Sequence, residues 1–128
     1  MRLSDFRGKT VVLYFYPKDN TPGCTAEACS FRDDSSDLEK AGVKVLGISA
    51  DGVKSHKRFE QKYGLNFTLL ADASKEIIER YGAKGKFGTA RRVTYLIDRD
   101  GVIRHIWSKV HAVGHSKEVL EKVKELDL

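Results

Sequence analysis

Cys24 stands directly behind Thr21-Pro22-Gly23, and Cys29 follows five residues later within the run YPKDNTPGCTAEACSF at 16–31. Threonine is a good helix N-cap, proline suits the first helical position, and Gly23 leaves room above the residue that follows. Cys24 is therefore expected in the first turn of a helix. There its sulfur faces free backbone N–H groups and the positive end of the helix dipole, both of which favour thiolate over thiol. The thiolate is the species that reacts, and so polar a lead-in argues against a cysteine buried merely as a small apolar group. Cys29 is a different case. Five residues apart in an intact helix, two Cα atoms are separated by about 8.6 Å, whereas a disulfide spans at most about 6.8 Å. A bond between the two cysteines requires the first helical turns to unwind; a Cys29 that stays in the helix and never meets Cys24 is the alternative.

The elements that must position these thiols follow from hydrophobic pattern. VVLYFY at 11–16 reads as a buried strand, which puts Cys24 beyond a strand's carboxyl end, where open α/β sheets hold their ligands. A helix is expected from Cys24 to Lys40, with Ala26, Ala28, Phe31 and Leu38 among polar residues and Gly42 as its stop. VKVLGIS at 43–49 suits a buried parallel strand, 53–63 a helix ended by Gly64, and 66–70 a short third strand. Asp72 or Ser74 can cap a helix carrying Ile77, Ile78 and Tyr81, closed by Gly82. After a loop at 83–90, strands at 93–98 and 102–107 form an antiparallel hairpin around Arg99-Asp100-Gly101. Ser116 opens a last helix whose Val119, Leu120, Val123 and Leu126 share one face. The order βαβαβαββα, without repeat or linker, predicts a single three-layer α/β domain over residues 1–128 with a mixed sheet.

Composition narrows the function classes. The 128 residues are 41% hydrophobic, enough for one compact core. The opening MRLSDFRGK has no apolar stretch, and no apolar run approaches a membrane span, so neither a signal peptide nor a transmembrane helix is expected and the protein is placed in the cytoplasm. In that reducing compartment a cysteine pair is catalytic, redox-sensing or metal-binding rather than a structural disulfide. The net charge of +5 comes from 23 basic residues interspersed with 18 acidic ones, a solvated surface rather than a nucleic-acid or membrane patch.

PKDNTPGC at 17–24 resembles the peroxiredoxin motif Pro-x-x-x-Thr-x-x-Cys, and Arg92-Val-Thr-Tyr-Leu-Ile-Asp98 resembles the second motif of that family, which carries an active-site arginine. The second cysteine at plus five, with Phe31-Arg32 following, is similar to the peroxiredoxin Q or bacterioferritin comigratory protein subgroup. The resemblance spans nearly the whole chain. It implies a thioredoxin-like fold, a central mixed β-sheet flanked by helices, and reduction of hydrogen peroxide or organic hydroperoxides without a cofactor or metal. Cys24 is then the peroxidatic nucleophile, with Thr21 offering its hydroxyl to the peroxide and Arg92, rather than the adjacent Arg91, holding the thiolate and the charge that develops as the O–O bond breaks. Pro17 closes the pocket, and Glu27, one helical turn after Cys24, orients Arg92. Cys29 becomes the resolving cysteine, forming an intramolecular disulfide that thioredoxin or a similar dithiol reduces. The enzyme is expected to act as a monomer or weak homodimer. Members of the family usually begin with a β-hairpin of some two dozen further residues, which this chain lacks before Met1, and the stretch 81–92 is shorter than in many of them.

Two other readings compete. A thioredoxin-type thiol–disulfide oxidoreductase shares the fold, but the chain has no Cys-x-x-Cys, and its only prolines, Pro17 and Pro22, leave no counterpart for a cis-proline facing the cysteine. A metal-binding module could draw on Cys24, Cys29, His111 and His115, although Gly114 interrupts the histidine pair and the cysteine spacing is not that of a zinc knuckle. His56 and His105 read as surface or packing residues.

Overall fold

The computed structural model describes residues 3–85 and 88–128; Lys86 and Phe87, inside the loop expected at 83–90, lie outside the described residues. After a short 3-10 turn (Leu3–Phe6), β1 (Thr10–Phe15) leads to α1 (Pro22–Asp33) and α2 (Ser35–Lys40), then β2 (Val43–Ser49), α3 (Val53–Tyr63), β3 (Thr68–Ala71) and α4 (Glu76–Arg80). β4 (Val93–Ile97), β5 (Ile103–Trp107) and α5 (His115–Glu125) complete the chain. The sheet runs β3-β2-β1-β4-β5; β1, β2 and β3 are parallel, while β4 is antiparallel to both β1 and β5. This is the expected mixed sheet and thioredoxin-like arrangement.

β1 is buried along its whole length, and its alternating side chains divide the core in two. Val12 and Tyr14 join Ala28, Phe31, Leu38, Phe59, Val119 and Val123 beneath α1, α2, α3 and α5. Val11, Leu13 and Phe15 face the other way, onto Ile78 of α4 and onto Ala83 and Ala90 of the loop. The layer under α1 is aromatic: Tyr14 stacks on Phe31 with ring centroids 5.0 Å apart and on Tyr16 at 5.4 Å. Gly47 makes this possible, because a Cβ there would lie 2.8 Å from the Tyr14 ring. Helix α1 is thereby seated on the sheet through Phe31, with Cys24 two turns nearer the carboxyl end of β1.

The helix expected from Cys24 to Lys40 is two helices, broken at Asp34 (φ −99°, ψ 15°). Asp33-Asp34-Ser35-Ser36 is a run of poor helix formers, and the Asp34 carboxylate serves another element instead, accepting the Ser116 hydroxyl at 2.5 Å and facing the Lys117 ammonium at 3.7 Å. The start of α5 is fixed to α1 a second time by the Ser116 N–H donating to Ser30 Oγ at 3.1 Å. α4 starts later than its apolar pattern suggests. Neither Asp72 nor Ser74 holds the N-cap position expected of them, which falls to Lys75 at φ +65°, but the Asp72 carboxylate accepts the N–H of Ile78 at 2.8 Å from further upstream.

Candidate active site

The carboxyl ends of β1 and β2 and the start of the antiparallel β4 meet at one edge of the sheet, and the reactive groups collect there. Pro22 occupies the first helical position and Cys24 the first turn of α1, as expected. Cys24 is 1% exposed and reduced, as is the half-buried Cys29. Both cysteines lie in one unbroken stretch of α1, so the helical separation that forbids a disulfide holds in the folded state.

Arg92 reaches the thiol from the far side of the sequence. It immediately precedes β4, with the same strand parity as Thr94 and the buried Leu96, and therefore faces α1. Its Nη2 donates to Cys24 Sγ at 3.2 Å while Nη1 donates to Glu27 Oε1 at 2.7 Å. Gly23 is what admits the guanidinium: a Cβ at that position would sit 3.0 Å from Nη2. The room expected above the following residue is occupied by the arginine that serves it. Burial pulls against the charge on Arg92, but Cys24 and Glu27 overcome it and hold the guanidinium above its ordinary value. Glu27 is fully buried, and burial pushes its carboxyl up to about 7 against the pull of Arg92. Its second oxygen, Oε2, has no protein hydrogen-bond partner among the described residues.

Thr21 occupies the N-cap position with extended backbone, yet its side chain does not cap the helix. The chain turns through Asn20 at φ +60°, which brings the Lys18 carbonyl back to Thr21, and the hydroxyl donates there at 2.9 Å. Its hydrogen is thereby committed and its lone pairs are left for an incoming O–H donor. Pro17 is half-buried at the start of the same turn. The structure therefore brings Cys24, Glu27 and Arg92 into direct contact, places Pro17 and Thr21 on the loop leading into α1, and leaves Cys29 a turn and a half further along the helix. Arg91 is directed elsewhere, donating to the carbonyl of Gly82.

Residues 1–106 match the AhpC/TSA family. A Coxiella burnetii protein named as a peroxiredoxin bcp is 53% identical over 130 residues, covering 96% of this chain and 86% of its own length. Peroxiredoxin Bcp of Escherichia coli K12 is 42% identical over 132 residues, covering 98% and 85%. This chain belongs to the peroxiredoxins, in their Bcp/Q group. The structure of a Xylella fastidiosa PrxQ cysteine-to-serine variant superposes with a TM-score of 0.94 at 35% identity, covering all of this chain and 84% of that one. This peroxiredoxin is accordingly a thiol-dependent peroxidase, acting on peroxides with a thiol reductant.

The metal-site candidates do not converge in it. His115 is buried with its ring edge-on to Phe31 and Trp107 and Nε2 at 2.9 Å from Thr94 Oγ1, whereas His111 is exposed. Among the described residues no three histidine, cysteine or carboxylate side chains are placed to share an ion. His105 packs edge-on against Trp107 at 4.5 Å. The reading of His56 as a surface or packing residue needs correction, because it is 3% exposed and bonded to an equally sequestered Asp19. One signal for it was present: His56 and Phe59 lie three apart and share the inward face of α3. Nothing in the local sequence marks Asp19. A cavity of about 520 Å³ lined by Lys9, Val43, Lys44 and Arg99 lies at the opposite end of the sheet and takes no part in this site.

Proposed function

We propose that Cys24 is the peroxidatic nucleophile and Cys29 the resolving thiol of a peroxidase that completes its cycle within one chain. The observation that carries this reading is the two-pronged contact of Arg92, one Nη on the Cys24 sulfur and the other on a buried carboxylate. A guanidinium held in this way stabilises the thiolate before reaction and the negative charge that develops on the departing oxygen during it, without reorganising. The thiolate attacks one peroxide oxygen, the O–O bond breaks, and the other oxygen leaves as water or an alcohol after taking a proton. Sulfur loses two electrons and becomes a sulfenic acid. Thr21, with its lone pairs free, accepts the hydrogen of the bound hydroperoxide, and Pro17 walls the turn against water. Once α1 unwinds between the cysteines, the Cys29 thiolate attacks the sulfenic sulfur, expels water and forms the disulfide. An external dithiol such as thioredoxin returns both thiols.

An intramolecular disulfide needs no thiol from a second chain, which is compatible with a monomeric or weakly dimeric enzyme. A pair of free cysteines that must be reduced again after each turnover fits a reducing compartment such as the cytoplasm. A Xanthomonas campestris bacterioferritin comigratory protein described for alkyl peroxide reduction superposes with a TM-score of 0.90 at 34% identity, covering 98% of this chain and 83% of that one, which extends the proposed substrates to alkyl hydroperoxides. Mass spectrometry after one equivalent of peroxide tests the reading. An intramolecular Cys24–Cys29 disulfide, two mass units below the reduced chain, is expected; a disulfide-linked dimer, or peroxide consumption by Cys24→Ser, refutes it.

A further inference from the structure

The turn that leads into α1 is clamped to α3 by a buried polar cluster that the reaction scheme does not use. Asp19, midway between Pro17 and Thr21, is 6% exposed. Its carboxylate takes three donors: the Tyr16 hydroxyl at 2.6 Å on Oδ1, and the Ser55 hydroxyl and His56 Nδ1, both at 2.7 Å, on Oδ2. Its own N–H donates to Asp51 Oδ2 at 2.8 Å. On the far side of the imidazole, Nε2 lies 3.1 Å from the carbonyl oxygen of Leu70. With Asp19 as a carboxylate, both neighbours of the ring only accept hydrogen bonds, an arrangement that favours hydrogen on both ring nitrogens and His56 as an imidazolium. The ionisable groups around the ring are Tyr16, Asp19 and Asp51, and none brings a competing cation. Burial opposes both charges, but the mutual hydrogen bonds prevail and hold His56 above and Asp19 below their ordinary values. The other end of α3 holds the turn again, through Lys62 Nζ and Tyr63 Oη donating to Asn20 Oδ1 at 3.2 and 3.1 Å.

We propose that Asp19, Ser55 and His56 are positioning residues for the reaction with peroxide, an ionic clamp by which α3 fixes the turn bearing Pro17 and Thr21 over the Cys24 sulfur. The inference rests on Cys24 being the peroxidatic cysteine. The cluster touches neither Cys24 nor Arg92, so its effect falls on how a peroxide is held and not on whether sulfur is ionised.

The test compares two reactions of Cys24 in a Cys29→Ser background, where it is the sole thiol: single-turnover oxidation by hydrogen peroxide and alkylation by iodoacetamide. Alkylation needs the thiolate but not the turn. Asp19→Asn is expected to slow oxidation by about tenfold to a hundredfold, the scale of a small misplacement of reacting groups, and to leave alkylation within about twofold. Equal loss in both reactions, or loss in neither, overturns the proposal. If Asp19→Asn does not fold, Ser55→Ala removes a single donor and is expected to lower the oxidation-to-alkylation ratio by about threefold; an unchanged ratio there also overturns it. Nitrogen NMR of the unsubstituted protein at neutral pH provides a check without mutation. Both His56 ring nitrogens are expected to be protonated, and a neutral tautomer refutes the ionic clamp. Failure of the Cys29→Ser background itself to consume peroxide condemns the assignment of Cys24 and not the clamp.

Discussion

Helix α1 holds two chemically identical thiols, one in its first turn and one past its middle, in opposite physical settings. At the first turn, Cys24 is buried, bonded to a guanidinium and covered by a turn that is itself tied to α3. A turn and a half later Cys29 is half-buried within electrostatic reach of Arg32, whose guanidinium is bonded to Asp33, and the adjacent Ser30 and the nearby Asp34 are spent in fastening α5. The difference divides the labour. The site around Cys24 is assembled before peroxide arrives, as transition-state stabilisation requires. In the proposed cycle Cys29 acts only when part of the helix opens, so it would gain nothing from a preorganised surrounding.

The largest separation of the two settings comes from deleting the second thiol. Without added thiol, Cys29→Ser is expected to consume one peroxide per chain at the full first-step rate and then stop, while excess peroxide drives Cys24 to sulfinic acid. Stopped-flow burst amplitude and intact mass read both results. A slowed first step would show that the two settings are not independent.

Arg92→Met attacks the setting of Cys24. It removes the donor to sulfur and leaves Glu27 buried without its cation, so peroxide reactivity is expected to fall by about a thousandfold. Stability is expected to fall by about 1 to 3 kcal/mol, because the buried Glu27 carboxyl loses its hydrogen-bond partner and takes up a proton instead. Denaturant titration and single-turnover kinetics measure the two separately. Full reactivity in a folded Arg92→Met would place the stabilisation of the thiolate entirely in the helix terminus.

How much of this contrast could be read before the fold was known depends on distance along the chain. The position of Cys24 follows from Thr21-Pro22-Gly23, a local signal, and β1, β2 and β4 follow from apolar runs that the sheet then buries as expected, whereas β5, paired to β4 as the hairpin pattern predicts, is a largely exposed edge strand. The reach of Arg92 to Glu27 and Cys24 joins residues more than sixty positions apart, and the second sequence motif pointed to it where local pattern alone could not. The break at Asp34 was half legible: the run Asp33-Asp34-Ser35-Ser36 disfavours helix locally, but the partner that takes up the Asp34 carboxylate is Ser116, on a helix eighty-two residues away. The same holds for Asp19, whose carboxylate is taken up by Tyr16 nearby and by Ser55 and His56 far along the chain. Hydrophobic periodicity reports which face of an element is buried. It does not report which polar group a buried carboxylate will find there, because that choice is made only when the elements meet.

Glu27 gives the finest resolution of the buried setting. Burial raises its carboxyl to about 7, so its charge changes near neutral pH. Well above that value the carboxylate grips Arg92 with a charge-assisted bond; well below it the neutral acid grips less firmly. Glu27→Gln keeps the shape and fixes the neutral form. Its peroxide rate is therefore expected to fall about tenfold below the unsubstituted protein on the alkaline side, and the two rates are expected to converge on the acid side. Stability supplies an independent sign. The folded carboxyl binds its proton more tightly than the unfolded one, so the contribution of Glu27 is fully present below its ordinary value of 4.5 and is lost as pH rises toward about 7. Glu27→Gln lacks that slope, and denaturation midpoints measured across this interval should separate the two proteins in that direction. A constant rate ratio at every pH would mean that Glu27 holds Arg92 by shape alone, and that the charge contrast between the two thiol settings of α1 resides in the arginine and the sulfur.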